Sequence, residues 1–207
     1  MKKILLALGF TFAAMSSQAA TLSLAESGTV NFTEATAGNP DAGHDVITGA
    51  TSGKFGTLSI DTSALFRATF LGFEAGDVNF YVANGTQVAN SANKFSAVGD
   101  VFEFQVGPGA IDFGFHDAVT GVTASNIGAN FQLIAYIEND GSYIDAATGN
   151  PYAFLIGFND TGAPDGDYDD YVIGVSAVPV PAALPLMASA LGAFGIARRR
   201  SNKAKVG

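Results

Sequence analysis

The sequence predicts an all-β protein, an antiparallel and jelly-roll-like β-sandwich, and three observations support this prediction. Gly, Asn, Asp, Ser and Thr interrupt the middle of the chain at short intervals. Between these interruptions, β-branched and aromatic residues alternate with small or polar ones, as in strands that bury one face. No segment of this middle region keeps a 3.6-residue apolar period long enough to predict a helix. Many short strands without helices favour two antiparallel sheets stacked on a common core.

The predicted strands are short and are bounded by turn-forming residues. They are residues 29–33, 56–61, 67–73, 78–83, 101–106, 110–115, 130–138, 152–158 and 171–176. Four of these segments alternate clearly enough to predict which side chains share the core. The expected core residues are Phe104, Ile111, Phe113, Phe115, Leu133, Ile137, Phe154 and Ile156.

Three polar stretches between these strands are predicted to be loops. Residues 34–53, rich in Gly, Asp, Asn, Thr and Ala, form the longest of them. Residues 83–93 contain Asn84-Gly85, a pair typical of tight hairpin turns because both residues tolerate positive φ. The third stretch is residues 118–129. No linker divides the region, so we expect one β-sandwich domain over residues 20–177.

The first nineteen residues have the three parts of a secretory signal peptide. Lys2 and Lys3 form the charged start, and residues 4–15 form the apolar middle. Ser17-Gln18-Ala19 is a small-x-small cleavage site, which predicts cleavage after Ala19, with Ala20 as the alternative. Residues 1–19 are therefore expected to be absent from the exported protein.

The last thirty residues, 178–207, combine a proline-rich motif, an apolar segment and a basic cluster. The motif is Val178-Pro179-Val180-Pro181-Ala182, and the cluster is Arg198-Arg199-Arg200. As a helix, residues 184–197 would span about 21 Å, which is short for a hydrocarbon core of about 30 Å. Arginine side chains can extend to the membrane surface and hold such an end on the cytoplasmic side. We therefore expect a single C-terminal transmembrane helix.

In its order of features, this tail resembles the PEP-CTERM class of sorting signals. It is most similar to the VPLPA-CTERM variant, with Val180 where leucine is usual. The resemblance implies recognition by an exosortase-type transpeptidase, which cuts near the proline motif. It also implies export: the helix anchors the chain transiently in the inner membrane, and the processed protein then reaches the cell surface or the extracellular space. The tail thus predicts a destination and not an activity.

The charge of the middle region is far more negative than that of the whole chain. All 19 Asp and Glu lie in residues 20–177, but only three of the ten basic residues do: Lys54, Arg67 and Lys94. The region therefore has a formal charge of 3 − 19 = −16, against −9 for the chain. Nucleic acids are poor partners for such a surface, and cations are good ones. The absence of cysteine excludes disulfides and thiol catalysis.

An acidic segment near the end of this region is the most informative stretch for chemistry. Between Lys94 and Arg198 no basic residue occurs, so the acidic side chains have no cationic neighbours in sequence. Carboxylates in a Gly-containing turn suit a hard cation, which predicts a Ca²⁺ site. The predicted ligands are Asp160, Asp165, Asp167, Asp169 and Asp170. Asp170 has an alternative role, a hydrogen bond to the loop backbone, and the whole segment has the alternative of a solvated turn.

Two internal segments extend the resemblance beyond the tail. Residues 157–171 are similar to a motif that precedes many PEP-CTERM-type tails. The motif is Gly-Phe-Glu-Asp, a short polar loop and Asp-x-Asp-Tyr-Asn/Asp-Asp, and here Asn159 takes the place of the glutamate. Residues 71–80 are similar to a Gly-x-Glu-Ala-Gly-x-x-Asn segment of the same exported proteins. Neither resemblance implies a biochemical activity.

Three further pairs of polar residues are candidate sites. His44-Asp45 lies in the longest predicted loop, and His116-Asp117 is expected to end a strand with a capping hydrogen bond. Glu103 and Asp112 could face each other across adjacent strands, as the carboxylate pair of a glycosidase does.

Three functions compete on these observations. The first is a non-enzymatic exported protein of the cell surface or extracellular polymer matrix, with calcium stabilising the acidic segment. The alternative is a calcium-assisted carbohydrate-binding module, in contact with extracellular polysaccharide. The third is a secreted hydrolase that uses a carboxylate pair. An exposed aromatic platform beside the acidic segment would favour the second, and its candidates are Tyr143, Tyr152, Tyr168 and Tyr171.

Overall fold

Antiparallel strands make up more than half of the described chain. A computed structural model describes residues 19–32, 50–73, 79–83, 86–90, 97–160, 166 and 168–179. Within these residues the strands are β1 Leu22–Asn31, β2 Ser52–Ile60, β3 Ala64–Gly72, β4 Asn79–Ala83, β5 Thr86–Asn90, β6 Val101–Val106, β7 Gly109–Ala110, β8 Phe113–Asp117, β9 Thr123–Ser125, β10 Ile134–Ile137, β11 Ile144–Asp145, β12 Asn150–Pro151, β13 Phe154–Phe158 and β14 Tyr171–Pro179. The described helical structure is one 3₁₀ turn, Phe131–Leu133.

The larger sheet has the order β1-β2-β10-β13-β14-β3-β6, with every neighbouring pair antiparallel. The short strand β7 pairs with β2, with Ile60 opposite Gly109. Only Gly107 and Pro108 separate β6 from β7. The chain therefore passes from one edge of the sheet back to a strand near the other, which requires the sheet to curve strongly.

A smaller sheet covers the concave side, and the main core lies between the two sheets. Its order is β5-β4-β8-β9, again antiparallel. Phe113 of β8 stacks on Phe66 of β3 at 5.7 Å between ring centroids. Phe115 stacks on Phe158 at 5.2 Å and also contacts Tyr171. These ring contacts join the two sheets, so the fold is all-β and sandwich-like.

The outer face of the larger sheet is also covered, by the segment between β10 and β13. Ile137, Tyr152 and Leu155 form a second apolar cluster there. The Tyr152 ring lies over Gly174 of β14, so close that a Cβ at 174 would lie 2.6 Å from the ring. The strands β11 and β12 form a two-stranded hairpin within this segment.

An ion pair holds this outer segment to the sheet. Arg67 of β3 donates through Nη1 to Asp145 Oδ2 at 3.2 Å and through Nε to Glu103 Oε1 at 2.7 Å. The Asp145 side chain is only 1% exposed. Burial lowers the pKa of Arg67, but the hydrogen bonds to both carboxylates outweigh this effect and raise it. Asp145 is thus buried with its countercharge in place, which such burial requires.

Much of the predicted pattern is confirmed. The protein is all-β and antiparallel, and β6 has the bounds predicted for it. The pair Asn84-Gly85 lies between β4 and β5, which form a hairpin. Four predicted core residues, Ile111, Phe113, Phe115 and Ile156, are buried in the main core. Phe104, Leu133 and Phe154 are partly buried against it.

Other expectations are wrong in instructive ways. Residues 130–138 form a 3₁₀ turn followed by β10, and the side chains of β10 that enter the main core are Ile134 and Tyr136. Ile137 belongs to the outer cluster instead, because both faces of β10 are covered. Residues 110–115 are divided between β7 and β8. The strands β5 and β9 lie in segments that were expected to be loops, and β11 and β12 lie in residues for which no strand was predicted.

The described part of the chain ends within the predicted sorting motif. Val178 and Pro179 belong to β14 and lie opposite Leu65 and Ala64 of β3. Residues 19–179 form one compact unit by their contacts. None of the described residues belongs to a helix long and apolar enough to cross a membrane. The expected helix of residues 184–197 and most of the signal peptide, residues 1–18, lie outside the described residues.

The core predicts a large cost for Phe113→Ala. The ring is 2% exposed and contacts Phe66 and Phe115. Its removal should lower the free energy of unfolding by about 3–5 kcal/mol, measured by urea denaturation. Phe73→Ala makes the same change at a ring that is 40% exposed and should cost much less. Equal losses in the two variants would contradict the core assignment.

Candidate functional site

The acidic segment connects β13 to β14, two neighbouring strands of the larger sheet. Their register places Phe158 opposite Tyr171. The structure describes residues 159, 160, 166 and 168–170 of the connection. Two of the predicted ligands, Asp165 and Asp167, lie outside the described residues.

Tyr168 fixes the main chain of this connection against the outer face of the sheet. Its φ of 63° is in the left-handed region, and its hydroxyl donates to the Gln132 carbonyl at 2.6 Å. Its ring contacts Phe32 and Phe55, with centroid distances of 5.6 and 6.1 Å. Burial raises the pKa of Tyr168, which keeps the hydroxyl protonated as a donor. An unfavourable backbone conformation is held here by side-chain packing.

Gly157 makes this arrangement possible. A Cβ built at 157 would lie 1.9 Å from the Tyr168 carbonyl oxygen. The main chain of the acidic connection therefore lies directly on the strand surface, where any side chain would displace it. A glycine inside a strand commonly indicates such close approach of another backbone.

The three described aspartates lie at the base of the connection. Asp160 and Asp169 are 2% and 6% exposed, and Asp170 is half-buried. The Asp160 backbone N–H donates to Asp170 Oδ2 at 2.8 Å, so this carboxylate joins the two ends of the connection. Asp170 thus has the hydrogen bond to the loop backbone that the sequence analysis gave as its alternative role.

The described residues do not by themselves form a metal centre. Among them, no three His, Asp or Glu side chains are grouped so as to hold an ion. Asp160, Asp169 and Asp170 are brought to one place by the strand pairing. Asp165 and Asp167 would have to complete a site, so calcium binding stays a prediction.

A cleft beside the start of β2 is a second candidate, which the sequence did not reveal. It has a volume of about 270 Å³ and lies between the start of β2, the end of β10 and the loop that follows β10. Its lining includes Ser52, Lys54, Glu138, Asp140, Tyr143 and Leu155. The turn-forming sequence Asn139-Asp140-Gly141-Ser142 was the available signal for this loop. This signal predicts a turn, but it does not indicate which strands border the turn.

The other polar pairs have structural roles where they are described. The buried Asp117 carboxylate accepts from the backbone N–H groups of Val119 and Thr120, which confirms the expected capping turn. Glu103 does not face Asp112, because β6 pairs with β3 and places Glu103 opposite Arg67. The carboxylate-pair prediction is therefore wrong. His44-Asp45 lies outside the described residues.

The tyrosines divide between the core and the cleft. Tyr152, Tyr168 and Tyr171 are buried and do not form an exposed platform beside the acidic segment. Tyr143 is half-buried and lines the cleft.

Comparisons with known protein families, with curated proteins and with solved structures found no match to this chain.

The contact between Gly157 and Tyr168 makes a prediction for Gly157→Ala. Because the added methyl group overlaps a backbone oxygen, the variant should lose at least about 1–3 kcal/mol of stability, measured by urea denaturation. Gly107→Ala is the matched control, since a Cβ there meets nothing within 4 Å. A Gly157→Ala variant as stable as Gly107→Ala would show that the connection does not rest on the sheet.

Proposed function

We propose that this chain is a non-enzymatic exported protein of the bacterial cell surface or extracellular matrix, delivered by an exosortase-type system. The observation that carries the proposal is the junction at Pro179. The strand β14 pairs with β13 and β3, and its last two residues, Val178 and Pro179, are the first two residues of the proline motif and pair with β3. The motif thus begins in the last strand of the domain, and cleavage near it would separate the domain from the residues that follow.

The finer fold description also belongs to this proposal. Strands distant in sequence are neighbours in the larger sheet, with β2 beside β10 and β3 beside β14. Crossovers of this kind are typical of Greek-key and jelly-roll arrangements, which many surface-exposed domains use. We describe the domain as jelly-roll-like on this basis.

Calcium stabilisation of the acidic connection is the second part of the proposal. Asp160 and Asp169 are buried carboxylates close in the fold to Asp170, within a region of formal charge −16. Burying ionised carboxylates is costly unless hydrogen bonds or cations compensate. Oxygen donors from Asp165 and Asp167 would hold the ion together with Asp160 from the end of the preceding strand, and the positive charge would reduce the repulsion among the carboxylates.

The sorting part predicts a specific pair of truncations. The exported protein should lack residues 1–19 and the segment after Pro181, because both ends have the features of processed segments. Mass spectrometry of the protein from the external fraction measures this directly. Recovery of external chains that still end with the Arg198-Arg199-Arg200 cluster and its downstream residues would contradict the proposal.

The calcium part predicts ion-specific stabilisation. If Ca²⁺ binds only the folded chain, a hundredfold excess over Kd should add about 2.7 kcal/mol to the free energy of unfolding. The measurement compares Tm of the full chain in CaCl₂ and in NaCl of equal ionic strength. The variant Asp165→Asn/Asp167→Asn should lose the difference between the two salts.

The control for this measurement is Asp112→Asn, which neutralises an exposed carboxylate outside the acidic connection. It should keep the calcium effect. Equal Tm in both salts would show that charge screening accounts for any stabilisation by calcium. The acidic connection would then be a solvated turn without a bound ion.

A further inference from the structure

The cleft beside β2 has a fixed shape before any ligand binds. The Asn139 side chain donates to the carbonyls of Tyr143 and Tyr152, at 2.6 and 3.2 Å. Its Oδ1 accepts from the backbone N–H groups of Gly141 and Tyr143. One amide therefore closes the loop and ties it to the end of the outer segment. A preformed loop of this kind lowers the entropic cost of binding.

The polar groups of the cleft include both hydrogen-bond acceptors and hydrogen-bond donors. Glu138 and Asp140 are exposed carboxylates, and the Asp140 Oδ1 is held by the Ser142 N–H at 2.9 Å. Hydrogen bonds from the Ser142 side chain and backbone lower the pKa of Asp140, which keeps it an ionised acceptor. Lys54 supplies a donor, with Nζ 3.2 Å from Glu26 Oε2.

The apolar side chains that line the cleft come from the outer apolar cluster. Ile137 and Leu155 are buried and belong to the outer apolar cluster. Tyr143 packs against that cluster and presents part of its ring to the cleft. The cleft lining thus combines apolar side chains with carboxylates, hydroxyls and an ammonium group.

Charge and size restrict the ligand. Two carboxylates in a region of formal charge −16 disfavour anions. Lys54 at the rim disfavours a cation held by the same two carboxylates. A volume of about 270 Å³ is below the range of roughly 300–1,000 Å³ typical of drug-sized ligands. The remaining class is a small, neutral molecule with many hydroxyl groups and one apolar face.

We propose that this cleft binds a single neutral pyranose unit, with Glu138 and Asp140 accepting hydrogen bonds from sugar hydroxyls and Tyr143 packing on its apolar face. This inference rests on the proposed function, because a protein of the extracellular matrix would meet pyranose units in extracellular polysaccharide. The site differs from the platform expected beside the acidic connection, whose tyrosines are buried.

The test titrates the full chain with glucose, galactose, mannose and N-acetylglucosamine and follows amide chemical shifts by NMR. At least one sugar should shift the amides of Ser52, Glu138 and Ser142 together. Glu138→Gln and Asp140→Asn should each weaken that binding about tenfold, because each replaces a charged acceptor by a neutral one. Asp140→Asn retains Oδ1 for the Ser142 N–H, so the loop should keep its shape.

Asp112→Asn is the matched control, since it makes the same change at an exposed residue that does not line the cleft. It should bind like the wild type, and all variants should melt at similar temperatures. The proposal is overturned if none of the four sugars shifts the cleft amides, if both variants bind unchanged, or if CaCl₂ alone produces the same shifts. Processing at the two chain ends, measured separately by mass spectrometry, would survive each of these outcomes, so the two proposals fail independently.

Discussion

A single buried amide, Asn126, joins the two sheets. It is 1% exposed, its Oδ1 accepts from the Leu58 N–H and the Tyr136 hydroxyl, and its Nδ2 donates to the carbonyls of Leu58 and Ile111. One edge of β2 pairs with β10 at Lys54 and with β7 at Ser59 and Ile60, which leaves a gap at Leu58. The Asn126 side chain fills this gap as a peptide group of another strand would. Burial raises the pKa of Tyr136, so its hydroxyl remains a donor. A fully satisfied network of this kind specifies one arrangement of the core, because each group left without its partner would be costly.

The rest of the molecule is organised around a shortage of positive charge. With three basic residues in a region of nineteen acids, side-chain cations can neutralise few carboxylates. Arg67 serves two of them, and through the buried Asp145 it attaches the outer segment that carries Tyr143. Elsewhere backbone N–H groups take this role, as at Asp117 and at Asp170. The cleft loop and the acidic connection are positioned by hydrogen bonds and side-chain packing more than by ion pairs, as the contacts of Asn139 and Tyr168 show, so their geometry should be insensitive to moderate salt.

The sequence pattern predicted the features that depend on local alternation of apolar and polar residues. It missed the features that depend on which faces of a strand are covered by other parts of the fold. Ile111, Phe113 and Phe115 were assigned correctly because one face of their segment meets the core and the other does not. In β10 the alternation failed, since Tyr136 faces the core while Ile137 is covered by the outer segment, and a strand buried on both faces has no polar side to mark its register. The acidic connection was recognised from its composition. The contact that fixes it is a close approach of the Tyr168 backbone to the Gly157 backbone, and such a contact leaves no pattern in side-chain types. For the cleft, the sequence Asn139-Asp140-Gly141-Ser142 indicates a turn, but the hydrogen bonds of the Asn139 side chain that shape the cleft leave no sequence pattern.

The placement of β14 has a mechanical consequence. Residues 171–175 of this strand pair with β13 on one side, residues 172–179 pair with β3 on the other, and the strand ends at Pro179. A pull on Pro179 directed along the strand would load the β14–β3 ladder in shear, so that many ladder hydrogen bonds must break together instead of one after another. Resistance to such a pull is set by the rate of unfolding and not by equilibrium stability. Tension applied at Pro179 would therefore enter the domain through a strand whose first five residues are all buried, and not through the edge strands β1 and β6.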